Sequence, residues 1–261
     1  MSDIAYRFAR YPSLEGRTVI VTGGASGIGA QIVRGFHEQG AKVGFIDFDR
    51  DTAEALTAEL DGADGPGEVA FAHGDLRDID ALRGAVDALR RRLGPAFALV
   101  NNAARDDRHD WRDVTPDYFD ERIATNVRHM FFAIQAVVPQ MIEAGQGGAI
   151  VNMGSNSWWE KGTGMPAYTL AKSAVHGLTR SSAKEFGVHR IRVNCVVPGW
   201  IMTQRQKDLW VTPEAIEAHR ADQCLPDLID PVHVARMVLF LCSDDAAMCT
   251  ASNFFVEAGS V

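Results

Sequence analysis

The stretch Thr18-Val19-Ile20-Val21-Thr22-Gly23-Gly24-Ala25-Ser26-Gly27-Ile28-Gly29 decides how this chain folds. Its opening run is β-branched and mostly apolar, as a strand buried on both faces requires. A helical pattern follows over 30–39 and stops at Gly40. Between them the glycines are spaced G-x-x-x-G-x-G, at Gly23, Gly27 and Gly29, rather than in the more frequent G-x-G-x-x-G. Glycines at a strand-to-helix joint let the backbone turn tightly and approach a phosphate, whose charge the helix N-terminus favours. A glycine-rich turn can also be structural and nothing more. Its place in the first strand–helix unit is what points to a dinucleotide pyrophosphate.

Outward from that joint, short apolar runs alternate with longer amphipathic ones. Strands are predicted over 42–46, 68–72, 96–100, 149–152 and 191–197, and helices over 51–60, 79–93 and 167–186. Thr115-Pro116 opens a long helix running to about Glu143, with Thr115 as cap and Pro116 at the first helical position. This alternation, with doubly buried strands, predicts an α/β fold: a Rossmann-type, doubly wound, mainly seven-stranded parallel sheet flanked by helices on both faces. No internal repeat or low-complexity linker divides the chain, so residues 1–261 are read as one domain. Residues 200–230 break the rhythm, start a helix at Thr212-Pro213, and are expected to form a mobile substrate lid.

The totals exclude several classes. With 26 basic against 34 acidic residues the net charge is -8, and no basic block exceeds Arg90-Arg91-Arg92. Neither a nucleic-acid partner nor an anionic membrane surface is expected. Cys195, Cys224, Cys242 and Cys249 form no Cys-x-x-Cys pair and fit reduced thiols of a cytoplasmic protein. The histidines show no His-x-x-x-His spacing, so no metal site is expected. Met1 to Arg17 lacks the apolar core of a signal peptide, and no run approaches the ~18 apolar residues of a membrane span.

Two further features carry chemistry. Asp47 follows the second strand, 18 residues past Gly29, where a carboxylate hydrogen-bonds an adenosine ribose. Ser26 leaves no cation beside the second glycine to hold a 2′-phosphate. Both favour NAD, while Arg50 lies near enough to leave NADP possible. Asp75, after the third strand, is either an adenine contact or a helix cap. The small residues of Asn101-Asn102-Ala103-Ala104 end the fourth strand and would let a cofactor lie against the backbone. Tyr168 and Lys172 stand about one helical turn apart, so phenol and ammonium share a face. Drawing a phenol from about 10 to about 7 takes roughly 4 kcal/mol. One ammonium ~4 Å away, at an effective dielectric of about 20, supplies about that much. Such a pair can equally be an ordinary helical contact.

Together these residues resemble the short-chain dehydrogenase/reductase family over essentially the whole chain. The likeness rests on the glycine turn, Asn101-Asn102-Ala103, Asn126, Ser155 placed 13 residues before Tyr168, Tyr168-x-x-x-Lys172 and Pro198-Gly199-x-x-x-Thr203. Two positions depart mildly: Ala104 replaces a frequent glycine, and Glu257 stands where an aspartate is common. The resemblance implies that Tyr168 accepts the alcohol proton and that Lys172 holds the nicotinamide ribose and lowers the phenol's pKa. It implies that Ser155 hydrogen-bonds the reacting oxygen and that Asn126 anchors a water relaying the proton past Lys172; taken alone, Asn126 reads equally well as a buried amide satisfying its helix. It implies a cofactor site of Gly23, Ser26, Gly27, Ile28, Gly29, Asp47, Asp75, Leu76, Asn102, Ala103, Ala104, Tyr168, Lys172, Pro198, Gly199, Ile201 and Thr203. A homotetramer is implied as well, packed through the Thr115 and Ala167 helices and the Phe254-Phe255-Val256 strand.

The family fixes reaction type, not substrate. Arg105-Asp106-Asp107-Arg108-His109-Asp110-Trp111 is dense in donors and acceptors, and Asn156, Trp158, Trp159, Trp200 and Met202 add amide and flat apolar faces. Polar groups beside aromatic faces suit a sugar ring, whereas a steroid or fatty-acyl pocket would be mostly apolar; the alternative is that the charged loop is solvated surface and the tryptophans are core. These segments are similar to bacterial aldose 1-dehydrogenases, including D-xylose, L-arabinose, D-galactose and L-fucose dehydrogenases. The similarity implies oxidation of an anomeric hydroxyl to a lactone with NAD reduced. Asp106 or Asp107, Arg108 and Asn156 are expected to grip ring hydroxyls, with Ser155, Trp158, Tyr168 and Trp200 around them. Trp159-Glu160-Lys161 departs from the His-Leu-Gly of that group, which leaves the sugar open. The alternatives are a reductase of a ketone or 3-oxoacyl group and a catalytically silent cofactor-binding protein. The second would be expected to lose Tyr168 or Lys172, and both are present.

Overall fold

A computed structural model describes residues 6–63 and 65–261. Its strands are β1 (Thr18–Thr22), β2 (Lys42–Asp47), β3 (Glu68–His73), β4 (Ala98–Asn101), β5 (Gly148–Met153), β6 (Ile191–Pro198) and β7 (Asn253–Val256). They form one sheet in the order β3-β2-β1-β4-β5-β6-β7, every neighbouring pair parallel. The helices are α1 (Gly27–Glu38), α2 (Arg50–Asp61), α3 (Ile79–Leu93), α4 (Pro116–Ile123), α5 (His129–Ala144), α6 (Pro166–Phe186), α7 (Gln204–Leu209), α8 (Pro213–Asp222) and α9 (Pro231–Cys242). Asp49, Asp78, Thr115, Thr203, Thr212 and Asp230 each accept a backbone N–H of the turn that follows, satisfying donors a helix start leaves free. This is the doubly wound sheet expected from the sequence. Residues 1–5 and 64 of the expected span lie outside the described residues.

Strand β1 shows why the apolar runs are unbroken. Val19 and Val21 enter the core layer under α1, α2 and α9, while Ile20 enters the layer under α3 and α5. A strand feeding two cores has no face left for polar residues. The chain winds outward from β1 to β3, then returns to place β4 on the other side of β1. The carboxyl ends of β1 and β4 thus part at a switch point, where open α/β sheets bind ligands. Residues 200–230 form α7 and α8 and are tied down by an isolated bridge between Ile201 and Ile229. Among the described residues no helix is long and apolar enough to cross a membrane.

The long helix expected from Thr115 to about Glu143 starts as predicted but is not one α-helix. Residues Ala124–Arg128 form a π turn between α4 and α5. A π turn pairs N–H groups with the carbonyl five residues back rather than four. The Asn126 side chain braces this turn: its Nδ2 donates to the Arg122 carbonyl at 2.9 Å, and its Oδ1 accepts from the Arg105 N–H at 2.9 Å. Asn126→Ala would remove a bond from the buried Arg122 carbonyl and one from the part-buried Arg105 N–H, at about 1–3 kcal/mol each where no other partner replaces them. At ~2–4 °C per kcal/mol, calorimetry should register a fall in the melting midpoint of at least about 4 °C. An unchanged midpoint would refute this account of the turn.

Candidate active site

At the carboxyl ends of β1, β2 and β4 the chain builds a cavity of about 740 Å³. Its floor is the glycine turn. The Gly23 carbonyl accepts from the Asn102 amide at 2.8 Å, and the Thr22 hydroxyl accepts from the Asn102 N–H at 3.0 Å. A side chain cannot enter here: a Cβ on Gly29 would lie 1.9 Å from the Gly23 oxygen, and one on Gly23 2.8 Å from Ala103 Cα. Ser26 precedes α1 without capping it, so the first N–H groups of the helix remain open toward the cavity. Open helix donors above a glycine floor fit a pyrophosphate. Buried Asp47 closes the far end, its carboxylate accepting from the Ala25 N–H at 2.9 Å and the Asp49 N–H at 3.1 Å. Arg50 is not part of the lining; it pairs with Glu54 at 3.5 Å. Asp75 lines the cavity in the grip of Arg77, 2.6 Å away, which holds its carboxyl below the usual range.

The reacting corner lies between β5 and α6. Lys172 is buried and donates to the Met153 carbonyl at 2.8 Å, with Nζ 5.8 Å from the centroid of the Tyr168 ring. Burial draws the ammonium down to about 8, against the opposing carboxylate of Asp106 and the Cys195 thiol. Burial also pushes the Tyr168 phenol well above its ordinary value, and Asp106 adds to the rise, while the Ser155 hydroxyl and Arg108 oppose it. Drying the site favours the neutral phenol and so works against the lowering expected from the Lys172 charge. His129 is held neutral, drawn down to about 4 by burial and by Lys172, and its Nε2 lies 3.0 Å from the Ala103 carbonyl. Beneath the corner, Asn101 donates to Asn152 at 2.8 Å and Asn152 to Thr179 at 3.0 Å, which ties α6 to the sheet.

A family model described as enoyl-(acyl carrier protein) reductase matches residues 23–260. The chain belongs to the short-chain dehydrogenase/reductase family. It is 46% identical over 251 residues to a D-xylose 1-dehydrogenase of Caulobacter vibrioides, covering 96% of this chain and 98% of that one. It is 41% identical to a probable galactose dehydrogenase of Rhizobium meliloti, over 96% and 97% of the two chains. A solved short-chain type dehydrogenase/reductase from Mycobacterium ulcerans superposes with a TM-score of 0.90 at 28% identity, covering 95% of this chain and 90% of that one. As a member of the family the chain is an NAD(P)-dependent oxidoreductase.

All seventeen residues expected around the cofactor line this dehydrogenase's cavity, together with Asp106, Arg108, Ser155, Asn156 and Trp200. Asn126 does not; its amide is spent inside the fold. Asp107 turns away to bind Arg122, Arg105 at 3.2 Å and Arg205 at 2.6 Å. Trp158 also lies outside the lining. Its Nε1 donates to His176 at 2.8 Å, and its ring packs with Trp159 against α6 and Phe255 rather than facing the substrate. The wall is completed by Glu160, Gln206 and His219, to which sequence reasoning gave no role. Gln206 joins the wall to the floor, donating to Asp106 at 2.7 Å while its Oε1 accepts from Trp200 at 2.9 Å.

His109 is a further residue whose part only the tertiary contact reveals. Met165, at the N-cap of α6, has no side-chain acceptor bonded to the first turn. The Ala167 N–H donates instead to His109 Nε2, 3.3 Å away on the loop after β4. Nε2 therefore keeps its lone pair, and Nδ1–H serves the Asp107 carbonyl at 3.2 Å or the Tyr118 hydroxyl at 3.1 Å. The imidazole thus fastens the loop to the helix one residue before Tyr168. His109→Leu removes the acceptor, and a displacement of ~1 Å at a reacting group can cost about 100-fold. We expect kcat to fall at least about tenfold, cofactor affinity to hold, and the 165–172 backbone to exchange hydrogen faster. His109→Gln, which keeps an acceptor, should recover most of both. Full kcat with unchanged exchange in His109→Leu would exclude this role.

Proposed function

We propose that this chain oxidises the anomeric hydroxyl of a pentose, 6-deoxyhexose or hexose to the aldonolactone, with NAD as the preferred acceptor. The observation that carries the reading is the wall beside Ser155 and Tyr168. Asp106, Arg108, Asn156 and Gln206 offer donors and acceptors there, next to the indole of Trp200. A sugar presents the same two chemistries, hydroxyls and apolar C–H faces. The names of the xylose and galactose dehydrogenases to which the chain is similar support the same substrate class. Reduction of a 3-oxoacyl group by the same machinery would call for a mostly apolar wall.

In this reading the anomeric O–H gives its proton to Tyr168 Oη while the C1–H leaves as hydride, so C1 loses two electrons and becomes the lactone carbonyl. Bound NAD supplies the hydride acceptor and a positive ring near the phenol. Ser155 donates a hydrogen bond to the reacting oxygen as its charge develops. Lys172, fixed by Met153, holds the ribose and adds positive charge beneath the phenol. The phenol's pKa is raised by burial, so the reactive phenolate is lost as pH falls and gained as pH rises. Oxidation should therefore accelerate from pH 6 toward pH 10. Tyr168→Phe should lose about 100-fold or more in kcat. Absorbance at 340 nm with a panel of aldoses checks both, and no turnover of any aldose would overturn the substrate assignment.

The preference for NAD follows from Asp47. A 2′-phosphate would meet a buried carboxylate, and the nearby cation, Arg50, is committed to Glu54. Wild type should favour NAD over NADP at least about tenfold in kcat/KM, and Asp47→Ser should shrink that ratio. A wild-type preference for NADP would contradict the assignment. Assembly as a homotetramer fits the exposed Phe131 on α5 and Leu170 on α6. A monomer in sedimentation would exclude it.

A further inference from the structure

The segment between Ser155 and Tyr168 turns Glu160 back over the site. The Glu160 N–H donates to the Asn156 carbonyl at 3.1 Å, and Lys161 takes a left-handed φ of 58° that reverses the chain immediately afterwards. The carboxylate lines the cavity and is fixed through one oxygen only. Its Oε1 accepts from the Asn156 amide and from Ser260 Oγ, the latter at 2.8 Å. Among the described residues no side chain donates to Oε2 and no cation pairs with Glu160. Glu160 is exposed to solvent in the cavity, so Oε2 is an acceptor that can exchange water for a ligand hydroxyl while Oε1 holds the carboxylate in place.

Glu160 is anchored to Asn156 and Ser260 rather than to the Lys172–Met153 corner, and it shares the cavity wall with His219 of α8, which lies edge-on to Trp200 with ring centroids 5.0 Å apart. Arg108 likewise has no carboxylate partner among the described residues; its guanidinium sits over Trp210 and against the Met165 sulfur. One uncompensated acceptor and one uncompensated donor suit a neutral polyol rather than a chain of a single charge sign.

We infer that Glu160 is a specificity-determining residue whose Oε2 accepts a sugar hydroxyl remote from the anomeric carbon. The inference rests on the aldose reading above. Its test is a cycle in which wild type and Glu160→Gln are each assayed with the best aldose and with its monodeoxy analogues, varying sugar and cofactor separately. Glu160→Gln should raise the KM for the parent sugar about tenfold, with kcat within threefold and the cofactor KM unchanged. One deoxy analogue should suffer a similar loss with wild type and no further loss with the variant. Ser260→Ala, which releases one of the two donors fixing Glu160, should raise the sugar KM about threefold. An unchanged sugar KM in Glu160→Gln, or equal coupling to every hydroxyl, overturns the inference while leaving aldose oxidation standing. Failure of wild type to oxidise any aldose overturns both.

Discussion

The site depends on holding the Lys172 ammonium in a dry corner. An ammonium has three N–H donors, and the fold supplies one acceptor, the Met153 carbonyl at 2.8 Å. Burial therefore weakens the charge to a pKa of about 8 and at the same time makes the neighbouring phenol reluctant to ionise. The two effects have one cause, loss of water, and a positive group entering beside the phenol would counter the second by favouring the phenolate. Tyr168 is thus suited to act as a base chiefly when the cavity is filled. The same dryness makes the support beneath costly to disturb. Asn101 donates to Asn152 and Asn152 to Thr179, a buried polar chain across β4, β5 and α6.

The substrate side is braced differently, by charge. Burial alone would raise the Asp107 carboxyl, but the guanidiniums of Arg105, Arg122 and Arg205 hold it below its ordinary value. Arg122 is almost wholly buried and also binds Glu121, so its charge is shared between two carboxylates rather than left alone. Asp107 therefore ties three parts of the chain together: its own loop, α4 and α7. Asp106 beside it stays in the cavity because Gln206 supplies the bond that orients it. Adjacent aspartates thus divide the labour, one for the frame and one for the wall.

Much of this was legible in the sequence, and what was not has a common reason. Val19, Ile20 and Val21 announce a doubly buried strand, and the spacing of Gly23, Gly27 and Gly29 announces its turn, because both signals are local. The separation of Tyr168 and Lys172 is local too. The π turn at Asn126 is invisible in that sense, since the bond that sustains it comes from the N–H of Arg105, twenty-one residues away. Asp106 and Asp107 look alike in a loop, and only Arg122, Arg205 and Gln206 from later segments distinguish them. Trp158 carries the composition of a sugar-binding face, yet His176 and Phe255 draw it and its neighbour Trp159 toward α6 and β7. Side-chain type was readable; side-chain direction was set by partners distant in sequence.

This division has a consequence for how specificity can change. Tyr168 and Lys172 sit on one helix anchored by buried polar bonds. The wall comes from three separate stretches: the loop after β4, the turn before α6, and α7 with α8. Substitutions in those stretches alter exposed or half-exposed hydrogen bonds, with little of the core at stake. Two contacts are exceptions: Asp107 compensates the buried Arg122 charge, and His109 fastens a wall loop to the first turn of α6. A change at Glu160 or Arg108 can therefore alter which sugar is held while Tyr168 stays in place. A change at His109 moves the wall and the base together.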